Sequence, residues 1–199
     1  GKIIFQTRME STLMPDPYAS LPAAWRRKLM WISSGLSILI LLIFNTFAAP
    51  LTTPAAPLGM ISFQLAGTPQ RLQALLASWD SAARQIAAFC LGLDYLFMPA
   101  YALAISLADR WVGEGLRQRG LPLAPAGIPL AWGVWLGALL DALENGLQAA
   151  MLFGSANPAL PGITRVVAVV KFGLVFAGLG YVFYGLAARL VARSTSPAA

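Results

Sequence analysis

Residues 128–153 read IPLAWGVWLGALLDALENGLQAAMLF. The run is longer than the roughly 20 helical residues that cross a bilayer. Its polar residues Asp141, Glu144, Asn145 and Gln148 fall at i, i+3, i+4 and i+7, so on an α-helix they share one face. Gly133 and Gly137 continue that face as a small-xxx-small pattern, which lets helices approach closely in lipid. A helix apolar all round except for one stripe predicts a membrane span that turns its stripe toward other helices.

Residues 29–49, 86–108 and 166–188 are comparably apolar. Together with 128–153 they predict an all-α integral membrane protein, a four-transmembrane-helix bundle occupying residues 29–191. Tails of 1–28 and 192–199 flank it. The whole chain agrees: of its 199 residues 58% are hydrophobic and 11% charged, where soluble domains carry about a quarter charged residues. Arg26, Arg27 and Lys28 ahead of the first span resemble the start of a signal peptide. The apolar run exceeds the roughly 7–15 residues of a signal's core, so a retained span is expected. Residues 1–8 (GKIIFQTR) precede two candidate starts, Met9 and Met14, and are given no functional weight whether native or not.

The basic residues set an orientation. Lys2, Arg8, Arg26, Arg27 and Lys28 flank span one, Arg110, Arg117 and Arg119 fall between spans two and three, and Arg189 and Arg193 follow span four. These ten lie on one side, against Arg71, Arg84 and Arg165 on the other. The positive-inside rule therefore predicts two cytoplasmic tails, in keeping with an even number of spans. On the opposite side, Thr68-Pro69 supplies an N-cap and a first-turn proline, and Leu72, Leu75, Leu76 and Trp79 form one apolar stripe. This predicts a short amphipathic interfacial helix over 69–80, between spans one and two; the same stripe would equally serve to cap the bundle.

Asp94, Asp141, Glu144 and Lys171 are the charged residues inside the predicted spans. A charge in the bilayer costs a few kcal/mol or more, so each needs a partner or water. At a rise of about 1.5 Å per residue, Asp94 and Glu144 lie about 12–14 Å from the outer end, Asp141 about 18 Å and Lys171 about 8 Å. All four can meet, with Asn145, Gln148 and Tyr101 around them and Asn45 near the rim. Tyr101 shares a helix face with Asp94, and Pro99 cannot donate to the Tyr95 carbonyl, which predicts a kink beside Asp94. Two readings stay open. Lys171 pairs with one carboxylate while Asn145, Tyr95 or Tyr101 bond the others, fixing helix register; or a hydrated pocket holds a cation, a proton or an amphiphile headgroup.

Absent residues exclude much chemistry. The chain has no histidine and one cysteine, Cys90, which disfavours disulfides, haem, His/Cys zinc sites, His-ligated chlorophyll and Ser-His or Cys-His catalysis. No cofactor or metal is expected, though lipid or pigment could fill grooves. There is no phosphate-binding glycine loop and no GxSxG. Arg117 and Arg119 read as anchors to anionic lipid, not nucleic acid. Trp25, Trp31, Trp79, Trp111, Trp132 and Trp135 read mostly as a membrane-edge belt, and Cys90 as packing.

The stretches LGLDYLFMPAYALAISLA (91–108) and LLDALENGLQAAML (139–152) are similar in general type to small bacterial four-helix membrane proteins. That likeness implies a bacterial cytoplasmic membrane but no activity and no functional residue. Three functions follow from the residues. The first is a non-catalytic accessory subunit, meeting membrane lipid and meeting other membrane chains through the glycine-bearing faces of spans three and four. The second is a ligand-binding or enzymatic bundle acting on a lipid-soluble substrate, with Asp141 or Glu144 as general acid/base and Asp94 stabilising a cation. The third is a proton- or cation-coupled transporter, disfavoured by four spans without broken segments.

Overall fold

The computed structural model describes residues 14–194, with side chains as far as Val191. Lys2, Arg8 and the last five residues of the expected cytoplasmic tail lie outside the described residues. The chain forms α1 (Ala23–Thr46), α2 (Ala48–Leu51), α3 (Met60–Gln64), α4 (Pro69–Ser78), α5 (Ser81–Arg117), a 3-10 turn (Ala124–Ala126), α6 (Gly127–Leu152) and α7 (Leu160–Ser194). Four helices are long and apolar enough to cross a membrane: α1, α5, α6 with its leading turn, and α7.

The long helices overrun the apolar windows. Asp80 caps α5 by accepting from the Ala83 N–H at 2.8 Å, and the helix is 37 residues long in all, Ser81–Arg117, overrunning the expected 86–108 at both ends. Arg110 and Arg117 therefore stand on α5 and not in a loop, and Arg165 stands on α7. Hydropathy falls at Asp109 and Arg110, but backbone hydrogen bonding has no reason to stop where hydropathy does. Pro99 sits within the continuous α5.

α5 is the central helix. It packs against α1, α6 and α7, and α6 packs against α7; α1 rests on α5 with no comparable packing on α6 or α7. Burial follows: 39% of the most apolar window of α5 is buried, against 17% for α1. Glycines set the closest approaches. A Cβ on Gly127 would stand 2.7 Å from the Asp109 carbonyl oxygen and 3.1 Å from Gly113 Cα, so α5 and α6 meet backbone to backbone. Gly137 receives Val175 of α7, Gly178 receives Val134 and Ile105, and Gly185 receives Val112. Of the glycines expected to meet other chains, Gly137, Gly178 and Gly185 are thus filled from within this one, because a small residue admits a neighbour from the same chain as readily.

The amphipathic helix begins as its sequence suggests, with Thr68 accepting from the Arg71 N–H at 3.3 Å. Its stripe is not turned to a membrane surface. Leu72, Leu75 and Trp79 are buried with Leu51, Phe63, Ala87, Cys90 and Met151, so α4 caps one end of the bundle. Trp79 is consequently a core residue and not part of an aromatic belt; it is 2% exposed and donates from Nε1 to the Leu51 carbonyl at 3.0 Å. Arg84 closes the end of α4, donating to the carbonyls of Leu76 and Trp79.

At the other end the segment before α1 is strapped to the bundle. Tyr18 is buried, its hydroxyl bonded to Ser106 Oγ and accepting from Trp135 Nε1 at 2.8 Å. Trp132 Nε1 donates to the Pro15 carbonyl at 2.8 Å, and Asp16 pairs with Arg110 at 2.6 Å. Burial pushes the Tyr18 hydroxyl above its ordinary pKa of 10.0, more than the bonds from Ser106 and Trp135 lower it.

Candidate functional site

The polar stripe of α6 meets α7 and α5 in the middle of the bundle. Lys171 Nζ lies 2.8 Å from Asp141 Oδ1 and 2.6 Å from Glu144 Oε2. Antiparallel packing explains the pairing, since Asp141 and Glu144 occupy successive turns of one face and a single ammonium opposite reaches both. The remaining side of that ammonium lies over the Phe172 ring, 4.6 Å from its centroid. Asp141 completes its bonding by accepting from the Tyr101 hydroxyl at 3.0 Å. Exposures of 0%, 3% and 5% for Glu144, Lys171 and Asp141 place the ion-paired trio wholly within protein.

Asp94 stands apart from that trio. Its Oδ2 accepts from Asn145 Nδ2 at 2.9 Å, and the same Nδ2 donates to the Leu91 carbonyl at 3.1 Å. Tyr95 bonds no carboxylate: it is exposed and donates to the Ala142 carbonyl at 3.3 Å. Gln148 is fully buried one turn beyond Glu144, with neither end of its amide bonded. The predicted site residues are therefore brought together, but as a closed trio with Tyr101, an Asp94–Asn145 pair, and an isolated Gln148.

Beside Asp94 lies a cavity of about 750 Å³. Because α1 packs along α5 and not α7, the two leave a cleft whose walls are α1 and α7, whose floor is α5 and α6, and whose roof is formed by α2 and α3. Leu41, Phe44, Val175 and Phe176 make the walls apolar, while Asp94, Tyr101, Asp141 and Asn145 on the floor and Lys171 at the foot of the α7 wall form a polar patch beside Phe97. Asn45 borders the same space, and Cys90 lies against it while packing in the end cluster. No family model, curated protein or solved structure matches this chain. Among the described residues no group of three His, Cys, Asp or Glu side chains could hold a metal ion.

One buried charge-bearing residue escapes the sequence reading. Asp109 is fully buried and neither of its carboxylate oxygens has a hydrogen-bond partner; Oδ2 faces Gly178, where a Cβ would approach within 3.0 Å. It stands one position beyond the expected end of span two. Carrying the helical period past Ala108 would have found it, since 94, 98, 101, 105 and 109 trace one face. Thr164 is missed for a similar reason. It lies seven residues before Lys171 on the same face of α7, ahead of the expected span, and is fully buried with its hydroxyl unbonded.

Proposed function

We propose that this chain is a four-helix membrane protein whose task is to hold an amphipathic, lipid-soluble molecule in the cleft between α1 and α7. The observation that carries this reading is the cavity of about 750 Å³ with apolar walls and a polar floor at Asp94, a volume within the range of small-molecule sites. A gap between two helices opens sideways, toward the direction from which such a molecule arrives in a bilayer. The closed trio of Lys171, Asp141 and Glu144 serves as architecture beneath it. Should the chain be an enzyme, Asp94 is better placed than Asp141 or Glu144 to touch a substrate, because it alone of the three lacks a charged partner.

Both termini are taken to lie inside, on the strength of ten basic residues against three, and the bacterial cytoplasmic membrane rests only on the general likeness of the sequence. An accessory subunit is the second reading. Gly35, Gly146, Gly173 and Gly180 face open space on the outer sides of α1, α6 and α7, where a helix of another chain could approach closely.

The test is native mass spectrometry of the chain extracted from its own membrane in mild detergent. One long-chain molecule retained per chain, and lost when Leu41→Trp fills the cleft from α1, supports the ligand reading. Stoichiometric association with other chains and no retained molecule supports the accessory reading instead.

A further inference from the structure

Polar atoms bordering the cleft are matched in an unbalanced way. Asn145 is 1% exposed, and its Nδ2 has two acceptors, the Leu91 carbonyl and Asp94 Oδ2, which fixes the orientation of the amide. Its Oδ1 is left buried without a partner. Asp94 accepts from Asn145 on Oδ2 only, and Gln64 Oε1 at the roof is buried and unbonded too.

Donors on the floor and walls, in contrast, are occupied, while the amide nitrogens of Asn45 at the rim and Gln64 at the roof stand free. Lys171 is held between Asp141 and Glu144, and Tyr101 donates to Asp141. Ser34, Ser37 and Thr52 each donate to a carbonyl of their own helix. Three carboxylates against one ammonium leave a formal surplus of two negatives beside a space that offers acceptors. An anionic head would meet Asp94 while finding Lys171 already shared. A neutral alcohol would offer one proton and no charge. A quaternary ammonium would bring charge but no N–H.

We propose that the occupant of the cleft is a cationic amphiphile, a long-chain primary or secondary ammonium compound that donates to Asp94 and the Asn145 carbonyl oxygen while its chain runs out between α1 and α7. This rests on the cleft reading above and narrows it. Charge-assisted hydrogen bonds are about twice as strong as neutral ones, so the headgroup should rank the ligands.

The experiment measures binding of four probes sharing a dodecyl chain: the primary ammonium, the alcohol, the phosphate and the trimethylammonium. The full chain is held in lipid nanodiscs near neutral pH, with partitioning into protein-free nanodiscs subtracted. The primary ammonium is expected to bind about tenfold or more tightly than the alcohol, and more tightly than the trimethylammonium. Asp94→Asn should remove that preference, weakening the primary ammonium far more than the alcohol. Equal binding of all four, or the phosphate binding best, overturns the headgroup assignment while the cleft reading stands. Failure of every probe to bind overturns both. If Asp94→Asn does not fold, the ranking on the unaltered chain decides alone.

Discussion

Removing the ammonium of Lys171 would strand two carboxylates, Asp141 and Glu144, that are 5% and 0% exposed. Breaking a buried ion pair from one side costs about 3–5 kcal/mol, because the remaining charge keeps its burial and loses its partner. Lys171→Met is therefore expected to lower unfolding stability in mild detergent by about that amount. Adding Glu144→Gln to it should recover part of the loss, giving a clear coupling energy in a double-mutant cycle. Asp94→Asn should change stability far less, since an amide can keep the bond to Asn145 if it presents its oxygen. At this scale the sequence was most informative where periodicity and depth agreed. The stripe of Asp141, Glu144 and Asn145 and its lysine opposite follow from a 3.6-residue period. Asp109 did not, because a hydropathy window ends where charge begins, while the helix carrying that charge goes on.

Among elements, the contact of α5 with α6 turns on two glycines. Gly127→Ala would place a methyl 2.7 Å from the Asp109 carbonyl oxygen, pushing the helices apart at an expected cost of about 1–3 kcal/mol. Gly146→Ala, which meets nothing, is the control and should be neutral or slightly stabilising. The segment before α1 hangs on Tyr18. Tyr18→Phe deletes the acceptor for Trp135 and the bond to Ser106, and is expected to raise proteolysis of residues 14–22 and to cost about 1 kcal/mol. The sign with pH follows from the raised hydroxyl. Its contribution is complete below pH 10, the ordinary value, and fades as pH rises through the higher folded one. Thr68 and Pro69 announced α4, since capping is local chemistry. The strap was not legible, because Tyr18 and Ser106 lie 88 residues apart and no local pattern links them.

For the whole molecule, a buried single cysteine makes the orientation testable. Cys90 is free and buried, so a cysteine placed elsewhere would carry the labelling. Ser155→Cys, exposed between α6 and α7, is expected to react with an impermeant maleimide on intact cells; Gln118→Cys, exposed just beyond α5, should react only after lysis. The reverse pattern would invert the topology. Four long apolar helices could be read from the sequence, but the cleft could not. It arises because α1 packs on α5 and not on α7, a choice between helices that are all apolar. The most direct test of that cleft is photo-crosslinking with a long-chain ammonium probe carrying a diazirine along its alkyl chain, followed by peptide mapping. Adducts concentrated on the facing walls, around Leu41 of α1 and Val175 of α7, are the expected result. Adducts spread equally over outward residues such as Leu139 and Phe183, 68% and 67% exposed, would mean that the probe sees only the apolar outside of the bundle and that the cleft holds no ligand.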